Sequence, residues 1–170
     1  MMRPICGTVQ YMSGRLYPGF LGPFLSTILL AFPLVPRTLA QSPIPEPPAR
    51  ERGLQAEGFV NGRLAIWQQR LNLQDWRISI IMSHPSDLKP KTLGNIHWDA
   101  DKKSAVIRVL DASDYRLPFR EMLEDMEFTV VHELIHLELS SLPRSDASRR
   151  DEEHAVNQIA DALLKLDRKK

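Results

Sequence analysis

The chain has 170 residues, of which 43% are hydrophobic and 25% charged, a balance typical of one globular domain with an appendage. Lys and Arg number 22 against 21 Asp and Glu, a formal charge of +1, which leaves no electrostatic footprint for DNA, RNA or an anionic membrane as main partner. Cys6 is the only cysteine, so an intrachain disulfide and a Cys-built zinc site are both excluded, and any metal must be held by His and carboxylate.

Residues 1–40 read as a signal peptide or other targeting segment. Arg3 and Arg15 precede an apolar run from Phe20 to Val35, and Thr38-Leu39-Ala40 offers small residues where a signal peptidase inspects the chain. Pro23, Pro33 and Pro36 interrupt the run and count against a stable membrane span. The expectation is an exported protein, periplasmic or secreted. The alternatives are an uncleaved anchor and a cytoplasmic protein with spurious upstream translation. Without these residues the chain carries 19 Lys and Arg against 21 Asp and Glu, a net charge of −2.

Residues 41–55 are Pro-rich and polar, an extended linker, and the folded domain is expected over 56–168. Phe59, Val60, Leu64, Ile66, Trp67 and Leu71 predict a helix over 56–71, weakened by Gly58 and Gly62. Alternating, β-branched residues predict strands over 76–82, 94–98 and 104–110, the last two joined as a hairpin by Asp99-Ala-Asp-Lys-Lys103. A helix over 119–141 is stopped by Leu142-Pro143, and a last helix spans 148–166. The fold class is therefore α+β: a small three-stranded, mainly antiparallel sheet packed on two consecutive helices.

The first of those helices contains His132-Glu133-Leu134-Ile135-His136, an H-E-x-x-H motif. Residues four apart share a helix face, so the two imidazoles can grip one ion, and Glu133 beside them can deprotonate a water. Uncharged, mostly apolar residues flank the motif, where two His and a Glu without a metal or hydrogen-bonding partners are costly to bury. Imidazole suits Zn²⁺, and a catalytic zinc takes three protein ligands. The continuation that would supply a glycine and then a third His shortly after the motif is missing, since Leu139 and Leu142 stand at those two positions.

The remaining candidates are Glu152, Glu153 and His154. Val156, Ile159, Ala160 and Leu163 define a packing face of the last helix; both glutamates flank it and His154 points away. Glu153 is preferred because Asn157, one turn later, can support a neighbouring ligand; Glu152 is the alternative. The alternative to a ligand role is an acidic first helical turn that complements the macrodipole, which would account for Asp151, Glu152 and Glu153 together.

His132-Glu133-x-x-His136 followed by Glu153-x-x-x-Asn157 resembles the gluzincin pattern, and Glu153-His-Ala-Val-Asn157-Gln-Ile-Ala160 is similar to the glutamate helix of ImmA/IrrE-type peptidases. Over about 76–166 the order of elements resembles a minimal zincin, as in SprT-like domains. The resemblance implies a zinc metallopeptidase acting on a peptide or protein substrate, with one Zn²⁺ on His132, His136 and Glu153 and Glu133 as general base. Asn157 departs from the aspartate of thermolysin-like enzymes, and SprT-like proteins tend to use a third histidine, which favours His154 against the helix-face argument. Tyr115 and His97 are candidates for stabilising an oxyanion. The other class kept open is a non-catalytic, zinc-stabilised binding domain.

Overall fold

The computed structural model describes residues 7–10, 46–143 and 145–169. The signal reading, apart from Gly7–Gln10, falls on residues outside these. Three helices, α1 (Ala49–Arg70), α2 (Phe119–Glu138) and α3 (Asp146–Asp167), pack with four strands, β1 (Gly7–Gln10), β2 (Arg77–Ser83), β3 (Thr92–Asp99) and β4 (Ser104–Leu110). The α+β class read from the sequence is the observed one. Among the described residues no helix is long and apolar enough to cross a membrane.

The sheet runs β1-β3-β4-β2. The expected hairpin is present, with β3 antiparallel to β4 and Ile96 opposite Ile107. β2 joins the other side of β4 in parallel, Ile80 opposite Ile107, so the sheet is mixed. The fourth strand was not foreseen: Gly7–Gln10 pairs antiparallel with the outer edge of β3, inside the stretch read as a targeting segment.

Helix α1 begins at Ala49, two turns earlier than its apolar pattern predicts, inside the segment read as linker. Pro48 stands at the cap, where a residue without N–H loses no helical bond. The extra turns are anchored by Arg52, which donates to Glu46 at 2.7 Å and to the carbonyl of Leu117 at 2.7 Å. Glu46 in turn accepts the N–H of Phe119 at 2.7 Å, which satisfies a donor at the start of α2 and places a carboxylate at its positive end.

Pleating puts Ala105, Ile107 and Val109 of β4 and Ile96 of β3 on one face, where they meet Val60, Leu64 and Trp67 of α1 and Met122, Met126, Val130 and Leu134 of α2 in a single core. Trp76 is also buried there, and Trp98 packs against it, so the tryptophans serve as core aromatics. Helix α2 is the central element, in contact with the sheet, α1 and α3 together. It is accordingly buried on every side from Thr129 to Leu137. Charge enters this core once outside the motif: Glu127 is held by the guanidinium of Arg63 and by the indole N–H of Trp67 at 2.8 Å.

Gly94 sets how closely β3 approaches α2. A Cβ there would lie 2.4 Å from Cγ2 of Thr129 and 2.7 Å from the backbone oxygen of Arg108. Thr129 is fully buried, and the carbonyl belongs to the neighbouring strand, so neither can yield cheaply. Gly94→Ala is expected to destabilise the fold by about 1–3 kcal/mol, read from urea unfolding. A loss below ~0.5 kcal/mol would contradict this packing.

Candidate metal centre

Helix α2 brings the motif into the core because its sequence is apolar on both sides of it. His132 and His136, one turn apart, present their Nε2 atoms 3.0 Å from each other. Helix α3 supplies the rest. Ser145 and Ser148 form a capping box that fixes its first turn, so Glu152, Glu153 and Asn157 face α2 in a defined register. His136 Nδ1 lies 3.0 Å from Oε1 of Glu152, and His132 Nδ1 lies 3.1 Å from Oδ1 of Asn157. The two helices therefore run antiparallel here, the later histidine meeting the earlier residue of α3.

Those partners decide the state of the rings. Each outer nitrogen faces an oxygen acceptor and must carry the N–H that donates to it. Each Nε2 then presents a lone pair inwards. The carboxylate of Glu153 faces the same point, one oxygen 3.5 Å from Nε2 of His132 and the other 3.4 Å from Nε2 of His136. Two imidazole nitrogens and a carboxylate thus converge on one point, an arrangement that a cation, whether a proton or a metal ion, satisfies. Bonds of ~2.0–2.1 Å in a tetrahedral set place ligand atoms roughly 3.4 Å apart, close to all three separations. The His132–His136–Glu153 group can hold a metal ion.

The electrostatics agree. Burial works against ionisation of Glu153, but its contacts with the two imidazoles outweigh this and hold its pKa at about 2. Burial lowers the pKa of His132 although Glu153 opposes it. Burial also acts against charge on His136, but Glu153, Glu133 and Glu152 outweigh it and raise the pKa. Surroundings that draw a proton to His136 favour any positive charge there.

Glu133 is fully buried, and neither carboxylate oxygen has a hydrogen-bond partner. Burial raises its pKa from 4.5 to about 8. A buried carboxyl whose oxygens are both unpartnered, next to a group that can hold a cation, suits a proton acceptor.

The sequence-derived site residues sort clearly. His132, His136 and Glu153 come together, and Glu133 lies beside them. Glu152, the alternative ligand, supports His136 from behind, because its position one residue earlier points it at Nδ1. Asn157 supports His132 as its spacing suggested. His154 is exposed and pairs with Gln158 at 3.1 Å on the outer side of α3. Tyr115 donates to Asp125 at 3.0 Å, and His97 alternates to the face of β3 opposite Gly94 and Ile96, which turns its ring from α2. The role of Glu152 was missed, although its five-residue separation from Asn157 nearly matches the four between the histidines.

A second grouping, His84, Asp111 and Asp114, sits at the ends of β2 and β4. It is explained by surface pairing: His84 Nδ1 bonds Asp114 at 2.7 Å, which raises the histidine pKa, and Asp111 accepts from the N–H and hydroxyl of Ser113.

No protein-family model, curated protein or solved structure matches this chain.

The raised pKa of Glu133 gives a pH prediction for the metal-free protein. Between 4.5 and about 8 the unfolded chain has released this proton and the folded one has not, so stability falls as pH rises through that window. Glu133→Gln removes the term. The melting-temperature difference between the metal-free variant and metal-free wild type should shift in the variant's favour from pH 5 to pH 8. A difference that stays flat over this range rules out a carboxyl held neutral by burial.

Proposed function

We propose that this protein is a zinc-dependent metallopeptidase of the minimal zincin kind, with His132, His136 and Glu153 holding one Zn²⁺ and Glu133 as general base. The observation that carries the reading is the pairing of three convergent ligand groups, two imidazole nitrogens and a carboxylate, with a buried, unpartnered carboxyl one residue from the first of them. Two imidazoles and one carboxylate suit zinc among the divalent ions, and three protein ligands leave a position open for chemistry. Bound there, the ion supplies Lewis acidity, which lowers the pKa of water towards neutrality and polarises a peptide carbonyl.

The chain's own part is proton handling and orientation. Glu133 takes the proton of the attacking water and passes it to the departing amine. Its apolar surroundings keep its proton affinity high enough for both steps. Glu152 and Asn157 fix the imidazole tautomers, so the lone pairs stay directed inwards, and Glu152 adds negative charge behind His136. An extended peptide that took the place of Gly7–Gln10 on the edge of β3 beside α2 would pair with its backbone.

Elemental analysis of the purified full chain is expected to give about one zinc per chain, and Glu153→Gln should lose most of it. Zinc retained undiminished in that variant would remove Glu153 from the ligand set. Glu152→Gln should keep the site but weaken zinc binding about 10–100-fold in a competition titration with a chelating dye. Glu133→Gln separates an enzyme from a zinc-stabilised binding domain. It should retain zinc while hydrolysis of an unfolded protein substrate drops by about 10²–10⁴-fold, and equal rates in variant and wild type would leave only the binding domain.

A further inference from the structure

β3 has two edges. One is closed by β4 over the full length of the hairpin, and the other faces away from the rest of the sheet. An open edge is a row of unpaired N–H and C=O groups that pairs readily with any extended chain. This edge carries Gly7–Gln10, with Gly7 opposite Ile96, Thr8 opposite Asn95 and, after a shift of register, Gln10 opposite Thr92. The same strand also touches α2.

The placement of that edge is set by Gly94, which lets the backbone of β3 rest on Thr129 of α2. Thr129 precedes Glu133 by one helical turn. A chain added to the outer edge of β3 therefore runs beside the stretch of α2 that leads into the metal centre. The occupant is four residues, Gly-Thr-Val-Gln, uncharged and free of proline. Its connection to the domain passes through residues 11–45, the stretch that contains the small-residue site ending at Ala40.

We propose that Gly7–Gln10 is a tethered occupant of the outer edge of β3, which any extended peptide that adds to that edge must displace. The tether gives the occupant a high effective concentration, so the edge stays closed to weakly bound peptides while the N-terminal segment is attached. A cut after Ala40 would release the occupant. The strand addition is argued from the sheet alone; its consequence for hydrolysis rests on the peptidase reading.

The test uses the full chain with Gly7→Pro and Thr8→Pro together. Successive residues of a strand direct their N–H groups to opposite sides, and both positions are in register, so the pair removes a bond to β3 whichever of them makes it. Gly7→Ala with Thr8→Ala keeps the N–H groups and serves as control. Amide exchange over residues 92–97 should accelerate at least tenfold in the proline variant alone. A capped, fluorescently labelled peptide carrying Gly7–Gln10 should bind that variant at least tenfold more tightly than wild type or the alanine control.

Unchanged exchange in the proline variant, or equal peptide binding by variant and wild type, overturns the proposal. With zinc supplied, faster hydrolysis of an unfolded protein by the proline variant supports the strand as a brake. Exposed, peptide-binding β3 with no hydrolysis by any form keeps the strand-addition site and overturns the peptidase reading. Hydrolysis at the same rate with and without the strand overturns the brake and keeps the peptidase.

Discussion

Everything in this fold answers to one constraint, the burial of a helix that carries polar groups on a face closed to water. His132, Glu133 and His136 are at most 1% exposed, and α2 cannot satisfy them from its own backbone. Helix α3 meets most of the demand, with an oxygen for each outer imidazole nitrogen and a carboxylate between the inner ones. What it leaves over is specific: two lone pairs and a carboxylate directed at one point, and a carboxyl with no partner. An apolar substitution at each position would stabilise the core more simply, so the residual polarity is a reason to read the site as functional.

The constraint also explains the neighbours of α2. Because the helix is enclosed, its first turn must be satisfied from elsewhere, and Glu46 reaches across from before α1 to do it. Because β3 must come close, glycine stands at position 94. Glu127, one turn and one residue before His132, is neutralised by Arg63 and Trp67 and not by α3, which leaves α3 committed to the motif.

Local pattern made much of this legible. Alternation located β2, β3 and β4, and the four-residue spacing of the histidines placed both on one face. The helix-face argument set His154 aside and kept both glutamates, and the position of Asn157 one turn later favoured Glu153. What escaped depended on tertiary partners. The first turns of α1 are held by Arg52 and Glu46 through contacts more than 60 residues away in the chain, which no window on the sequence contains. Ile159 was placed on the packing face of α3 but is 43% exposed, while Leu164 is buried. The buried stripe follows Val156, Ala160 and Leu164 because α3 packs mainly on α2 and meets α1 only at its end through Asp167, and so the face is narrower than a helix between two partners would show. Strand β1 has no local signal either; its pairing is with a strand some 85 residues later in the chain.

The far end of α3 is also fixed. Asp167 accepts from Arg63 at 2.6 Å and from Arg70 at 2.8 Å, both on α1, and Arg63 bridges onwards to Glu127 of α2. Glu153 stands fourteen residues up the same helix, roughly 21 Å away at ~1.5 Å per residue. The helix is thus a beam pinned at a serine cap and at an ionic clamp, with its carboxylate carried between them. Its clamp is electrostatic and partly open to solvent ions, which screen such pairs over about 8–10 Å at ordinary ionic strength. Salt then acts at a distance: by screening the clamp it loosens the axial seat of α3, and with it the placement of the carboxylate that faces the two imidazoles.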